Sequence, residues 1–216
     1  MDLSHVIEHG MATYPGLPGP EIGAHLSFDD STATYAPGTE FTIGRITMVS
    51  NTGTYLDTPA HRYRDGFDLS GLPLERCVDL PALVVDGPTA GAQGFGPDAF
   101  DGLDLSGRAV LLRTGWSRHW RAPEYGDLAH PFLTTAGARL LVEAGVALVG
   151  IDSVNIDDTR GGDRPAHSQL LAAGIPVVEH LTALERLPAS GARFTAVPPG
   201  VRGMGTFPVR AFARLP

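Results

Sequence analysis

The sequence contains no lysine; all 16 of its basic residues are arginine. That absence excludes a lysine nucleophile, a Schiff base and the lysine of a phosphate-binding loop. There is one cysteine, Cys77, so no internal disulfide can form and no thiolate metal site can be built from it alone. Cys77 has no neighbouring base in Leu74-Glu75-Arg76-Cys77-Val78 and reads as a packing residue. No apolar run approaches the roughly 18 residues that span a bilayer. No run of five or more basic residues is present, and the formal net charge is −8. Neither nucleic acid nor membrane is therefore an expected partner. The start, Met1-Asp2-Leu3-Ser4-His5, lacks a charged-then-apolar signal pattern, so the cytoplasm is the expected location.

What is present is an ordinary apolar fraction, 43%, with 27 glycines and 18 prolines and only 19% charged residues. That composition supports a core joined by many tight turns, and no linker divides it, so one domain over residues 1–216 is expected. Residues 1–40 read as loop, given Tyr14-Pro15-Gly16-Leu17-Pro18-Gly19-Pro20. Strands are expected over Phe41–Val49, Leu80–Asp86, Ala109–Arg113, Val146–Asp152, Ile175–Glu179 and, more weakly, Arg193–Val197. Helices are expected over Thr135–Ala144, stopped by Gly145, and over Ser168–Ala173 and His180–Leu187. Gly87–Gly96 reads as loop. Strands interleaved with helices give an α/β class with a mixed central sheet.

The chemistry concentrates in Asn51-Thr52-Gly53-Thr54-Tyr55-Leu56-Asp57-Thr58-Pro59-Ala60-His61. In an extended chain Asn51, Tyr55, Asp57 and His61 share parity, which lets their donors converge on one face. The same stretch also reads as a polar strand end with a turn. A second polar cluster, Asp152-Ser153-Val154-Asn155-Ile156-Asp157-Asp158 and then Arg164-Pro165-Ala166-His167, begins where an apolar strand ends. That is where sites in α/β sheets usually lie. Ile175-Pro176-Val177-Val178-Glu179 closes another apolar run on a carboxylate. Arg62-Tyr63-Arg64-Asp65-Gly66 reads either as a binding segment for an anionic substrate or product, or as a solvated loop. Trp116 and Phe28 are candidates for an aromatic pocket wall or for core packing. His5, His9, His25, His119 and His130 have no ligand-like partner at useful spacing. His180 adjoins Glu179, and neighbours in a strand point apart.

Asn51–His61, read as N-T-G-T-Y-L-D-T-P-A-H, resembles the H-x-G-T-H-x-D-x-P-x-H signature of the cyclase family of metal-dependent hydrolases. That family includes kynurenine formamidase and isatin hydrolase. Asp2–His5, Met11–Gly16, Arg113–Ser117, Gly150–Ser153 and Pro165–His167, with Glu179 twelve residues after His167, resemble its remaining landmarks. The resemblance implies a swivelling β/β/α-type fold and a homodimer or homotetramer. It also implies metal ligation by Asp57, His167 and Glu179, and acid/base work by His61. Asn51 and Tyr55 stand where the family has its two leading histidines, so they are candidate metal or substrate contacts. One first-site ligand set is thereby weakened and the other is intact. An Asp, a His and a Glu leave open positions on a divalent ion, and a donor set without sulfur suits Zn²⁺ or Mn²⁺.

The expected activity is hydrolysis of a C–N bond in an amide, formamide or cyclic amide of a small molecule. A metal-activated water would be the nucleophile, and the imidazole of His61 would carry the proton. Two other readings stay open. One is a polyketide-type cyclase or dehydratase using His61 as a base. The other is a non-catalytic small-molecule binder that kept the fold after its first metal site eroded.

Overall fold

The computed structural model describes residues 1–87 and 93–216. Its strands are β1 (Glu21–Leu26), β2 (Ile43–Thr47), β3 (Tyr55–Asp57), β4 (Leu80–Asp86), β5 (Gly94–Phe95), β6 (Ala109–Arg113), β7 (Phe132–Leu133), β8 (Leu148–Ile151), β9 (Val177–Glu179), β10 (Ser190–Thr195), β11 (Thr206–Pro208) and β12 (Phe212–Arg214). Its helices are α1 (Phe28–Ser31), α2 (Thr135–Glu143) and α3 (Pro165–Ala172).

Eight strands form one mixed sheet in the order β11-β3-β9-β8-β6-β4-β10-β12. The central four, β9, β8, β6 and β4, are parallel to one another. β3 and β11 extend one side and β10 and β12 the other, all antiparallel. This is the mixed-sheet α/β architecture expected.

Side-chain alternation divides the core in two. Leu56, Ala82, Val84, Leu111 and Val178 belong to one buried cluster. Leu83, Val85, Val110, Leu112 and Val177 belong to the other. α2 and α3 cover the second cluster through Ala138, Leu141, Ala166 and Leu170. Leu3, from the N-terminal segment, and Ala211, near the end of the chain, help to close the first.

α2 follows its sequence signals. The Thr134 side chain accepts from the Gly137 N–H, and the chain leaves the helix through Gly145 at φ +70°, as a left-handed C-terminal glycine does. α3 starts three residues earlier than expected. Pro165 fits the first helical turn, and the Asp157 carboxylate, reaching in from the preceding loop, accepts the N–H groups of Ala166 and His167 at 2.6 and 3.1 Å.

The helix expected over His180–Leu187 does not form; Leu184–Arg186 is a single 3₁₀ turn. His180 and Ala183 both sit at φ +57°, which breaks a right-handed helix. The N–H groups of Leu181 and Thr182 bond instead to Ile151 and Leu3 carbonyls. Residues 1–40 are also not all loop: β1 pairs with β2 as a hairpin that includes Ile22 opposite Ile46. Residues 88–92 of the expected Gly87–Gly96 loop lie outside the described residues, and Gly94–Phe95 pairs with β7.

Candidate metal-binding and active site

Register assembles the site. In the antiparallel pair of β3 and β9, Tyr55 lies opposite Glu179; in the pair of β3 and β11, Asp57 lies opposite Thr206. Directly opposed residues share a face, and Tyr55 and Asp57, two apart, share it too. Four polar side chains therefore project from one patch of sheet. All four are buried. The patch lies beside the carboxyl ends of β8 and β9, and the loop after β8 leads to α3 and His167.

Asp57 is fully buried. Its Oδ1 accepts the Thr206 hydroxyl, and its Oδ2 has no hydrogen-bond partner. The Thr206 oxygen lies 2.8 Å from His61 Nδ1. Because the hydroxyl proton is given to Asp57, that oxygen accepts, so His61 carries its proton on Nδ1 and turns a free Nε2 outward. His61 sits on the 3₁₀ turn Pro59–His61, against which Gly205 packs so closely that a Cβ there would clash with the His61 backbone nitrogen.

His167 is fixed by the same Asp157 that caps its helix. Its Nδ1 donates to Asp157 Oδ2 at 2.6 Å, which leaves Nε2 facing Asp57 Oδ2 and Glu179 Oε1, each 3.6 Å away. Nε2 is buried and has no hydrogen-bond partner. Glu179 is better satisfied: Oε1 accepts the Ile156 N–H at 2.6 Å and Oε2 the Tyr55 hydroxyl at 2.7 Å.

The charges gathered around this spot favour positive charge there. Burial opposes a charged His167, yet Glu179, Asp157 and Asp57 outweigh it and hold its pKa well above the ordinary histidine value. Burial would raise Asp57, but His61, His167 and Thr206 keep its pKa below the usual carboxylate range. Glu179 is raised by burial and by Asp57, against His167 and its hydrogen-bond donors. Two orphaned buried atoms at 3.6 Å fit a divalent cation between them, a role in which a nitrogen and carboxylate oxygens are ordinary ligands. Among the described residues, the triple whose donor atoms all lie within 4.8 Å of one another is Asp57, His61 and His167; Glu179 approaches it through His167. In it, His61 is the exposed member.

Tyr55 is committed elsewhere. Burial, then Glu179 and Asp57, push its pKa well above the ordinary tyrosine value, so it stays protonated and donates to Glu179. Its oxygen also lies 3.2 Å from His180 Nε2, and His180 Nδ1 lies 2.8 Å from the Tyr125 hydroxyl. With Glu179 ionised and His180 neutral, one assignment of protons satisfies all three contacts. Tyr125 donates to Nδ1, Nε2–H donates to Tyr55, and Tyr55 donates to Glu179. Burial, followed by His5, pushes His180 down to about 3 and keeps it neutral for this role. Expecting His180 to point away from Glu179's site was wrong: the strand ends at Glu179, and the left-handed His180 swings its ring beneath Tyr55.

A cavity of about 430 Å³ opens beside these groups. Asn51, Tyr55, His61, His167 and Glu179 line it, together with Tyr14, Leu17, Arg62 and Arg164. Trp116 and Phe28 do not. The Trp116 indole donates to the Tyr125 carbonyl, and Phe28 is 54% exposed on α1. Asp152 is structural: it accepts the N–H groups of Thr114 and Gly115 and ties β8 to the loop after β6. Thr206, Asp157, His180 and Tyr125 were not singled out as site residues by sequence reasoning.

The family model Cyclase, described as "Putative cyclase", matches residues 1–158. The chain belongs to the cyclase family. It is 29% identical over 215 residues to a kynurenine formamidase of Bacillus mycoides (strain KBAB4), covering 99% of this chain and 96% of that protein. Among solved structures, it resembles isatin hydrolase A from Labrenzia aggregata with a TM-score of 0.83 and 24% identity, over 100% of this chain and 93% of the other. It also resembles a potential metal-dependent hydrolase with cyclase activity, with a TM-score of 0.79 and 26% identity, over 100% of this chain and 98% of that one.

Proposed function

We propose that this member of the cyclase family is a metal-dependent hydrolase that cleaves a C–N bond of an amide, formamide or cyclic amide. The observation that carries the reading is the buried pair Asp57 Oδ2 and His167 Nε2, 3.6 Å apart with no hydrogen-bond partner. Burying the Asp57 oxygen without a hydrogen-bond donor is costly, and a divalent cation taking the place of the Nε2 proton answers both atoms. The relatives named formamidase and isatin hydrolase support the same bond class.

Asp57, His167 and Glu179 hold the ion, and Zn²⁺ or Mn²⁺ suits a set of oxygens and one nitrogen. When bound, the ion supplies Lewis acidity toward water and toward a carbonyl oxygen. The chain supplies the rest. His61, pinned through Nδ1 by Thr206, presents Nε2 to the cavity, accepts a proton as water adds to the carbonyl carbon, and returns it to the departing nitrogen. Asp157 holds the His167 tautomer, and such outer contacts orient a ligand. Tyr55 fixes the Glu179 carboxylate. Tyr14 and Leu17 give the cavity apolar wall for the substrate's body.

The test is turnover by the full chain of an N-formyl arylamine and of isatin, each with and without added Zn²⁺ or Mn²⁺. Release of formate or opening of the lactam, abolished by chelator and restored by metal, is expected. Turnover of neither, with turnover of a β-keto substrate, would replace this reading with the cyclase one.

We also propose a homodimer or homotetramer in the cytoplasm. The β1–β2 hairpin exposes Ile22, Phe41, Ile43 and Ile46. A two-stranded hairpin is marginal alone in water, and apolar patches of this kind commonly mark association surfaces. Cys77 is buried and unpaired. Sedimentation equilibrium reads the assembly directly, and a monomer at micromolar concentration would contradict it.

A further inference from the structure

Two asparagines line the cavity beside Glu179 and His167: Asn51, on the loop before β3, and Asn155, on the loop after β8. The protein occupies the carbonyl oxygen of each. Asn155 Oδ1 accepts the Asp157 N–H at 2.9 Å, and Asn51 Oδ1 accepts the Ser50 hydroxyl at 3.1 Å. Each amide is thereby turned so that its NH₂ group, which only donates, is the end left over. Asn155 Nδ2 makes no hydrogen bond among the described residues and is not sealed from the cavity. Burial and the neighbouring carboxylates raise the Tyr55 pKa, and the Asn51 side chain opposes them, as a donor does. An amide nitrogen carries two hydrogens, so one remains for the cavity. Glu179 does not claim these donors, because the Ile156 N–H and the Tyr55 hydroxyl already fill its two oxygens. Both loops are held in place: Gly53 N–H bonds to Thr13 Oγ1 and Leu133 N–H to the Ile156 carbonyl, each at 2.8 Å.

We propose that the side-chain amides of Asn51 and Asn155 form an oxyanion hole, donating to the carbonyl oxygen of the substrate as it becomes negative. The proposal rests on the hydrolase reading and adds two catalytic residues to it. As the water oxygen bonds to the carbonyl carbon and its proton passes to His61, the π electron pair moves onto the carbonyl oxygen. When that pair returns, the C–N bond breaks and the nitrogen takes the proton back from His61. Donors fixed before the reaction stabilise the charge without reorganising.

Kinetics of the full-length, metal-loaded protein on N-formylaniline and isatin test it. N51A should lower kcat about 10²-fold, the scale for one lost donor, with KM nearly unchanged because the charge exists only in the transition state. N155S should do the same; serine keeps an acceptor for the Asp157 N–H and loses the amide. N51D, which keeps the shape and removes the donor, should be as slow as N51A. Metal content and urea midpoint, measured in parallel, should match the parent. Full kcat in both N51A and N155S overturns the proposal. So does metal loss in N51A with recovery in N51D, which would make the Asn51 oxygen a ligand. A parent that turns over neither substrate sinks the hydrolase reading and this proposal with it, whereas an active parent with unimpaired variants sinks this proposal alone.

Discussion

The two ends of the buried polar cluster are built oppositely. At one end, Tyr125, His180, Tyr55 and Glu179 form a chain in which each hydroxyl and imidazole N–H has an acceptor. At the other, Asp57 Oδ2 and His167 Nε2 face each other with nothing between them. The same chain satisfies its buried polar groups in one place and leaves them open a few ångströms away. The neutral end is therefore a buttress, and the ionic end is a place for a cation. The contrast also explains Tyr55. As a donor it serves Glu179, so its hydroxyl supports that carboxylate.

The largest expected effect comes from removing the proton carrier while leaving both ends intact. His61→Ala should lower kcat by about 10²- to 10⁴-fold, the range for loss of a general acid–base, with bound metal retained. Loss of the metal as well would make His61 a ligand, as the Asp57–His61–His167 grouping allows. Next is Asp157→Asn. It weakens the acceptor that fixes the His167 tautomer and should reduce metal affinity about 10- to 100-fold, read by titration with a competing chelator. It should also shorten the first turn of α3, seen as faster amide exchange at Ala166 and His167.

Tyr55→Phe probes the buttress alone. It strips the donor from Glu179 Oε2 and should cost about 1–3 kcal/mol of stability in denaturant unfolding, while one equivalent of metal still binds. Complete loss of metal would show that the two ends are not separable.

Acid should attack the buttress as well. His180 is held down to about 3, by burial first and His5 second; His5 is held down to about 4, by burial first and Arg121 second. Below the ordinary histidine value of about 6.5 the unfolded chain takes up protons that these two buried rings refuse. Stability is therefore full above that value and falls as pH drops toward 4. Each ring should contribute about 1 kcal/mol of loss between pH 7 and 5.5. Raised His167 and Glu179 act in the opposite sense across the same interval, so the check is the difference in urea midpoint between the parent and His5→Gln. The parent should lose more stability than the variant as pH falls from 7 to 5.5, and equal slopes would contradict it.

Legibility in the sequence followed the range of the interaction. The runs Leu80–Asp86 and Ala109–Arg113 are strands to the residue, because apolar patterning is local and central parallel strands are buried on both faces. The segment around Asp57 and His61, the His167 position and the Glu179 strand end were visible as motif and polar punctuation, and the structure brings all four together. Thr206 was not visible. It matters through its register opposite Asp57, and Thr-Phe-Pro carries no alternating signal of its own. His180 was misread for a related reason: strand parity describes residues inside a strand, and a single left-handed residue after Glu179 reverses it. Asp157 lay within the polar cluster already noticed, but its two roles, helix cap and histidine partner, depend on a loop conformation that spacing does not encode.

The central claim is that Asp57, His167 and Glu179 hold one divalent ion, and elemental analysis of the untreated full chain beside Asp57→Ala and His167→Ala measures it most directly. One equivalent of a transition metal in the parent protein, and none in either variant with folding retained by circular dichroism, is the predicted result. A metal-free parent that stays metal-free on incubation with Zn²⁺ or Mn²⁺, or full occupancy in both variants, would contradict it.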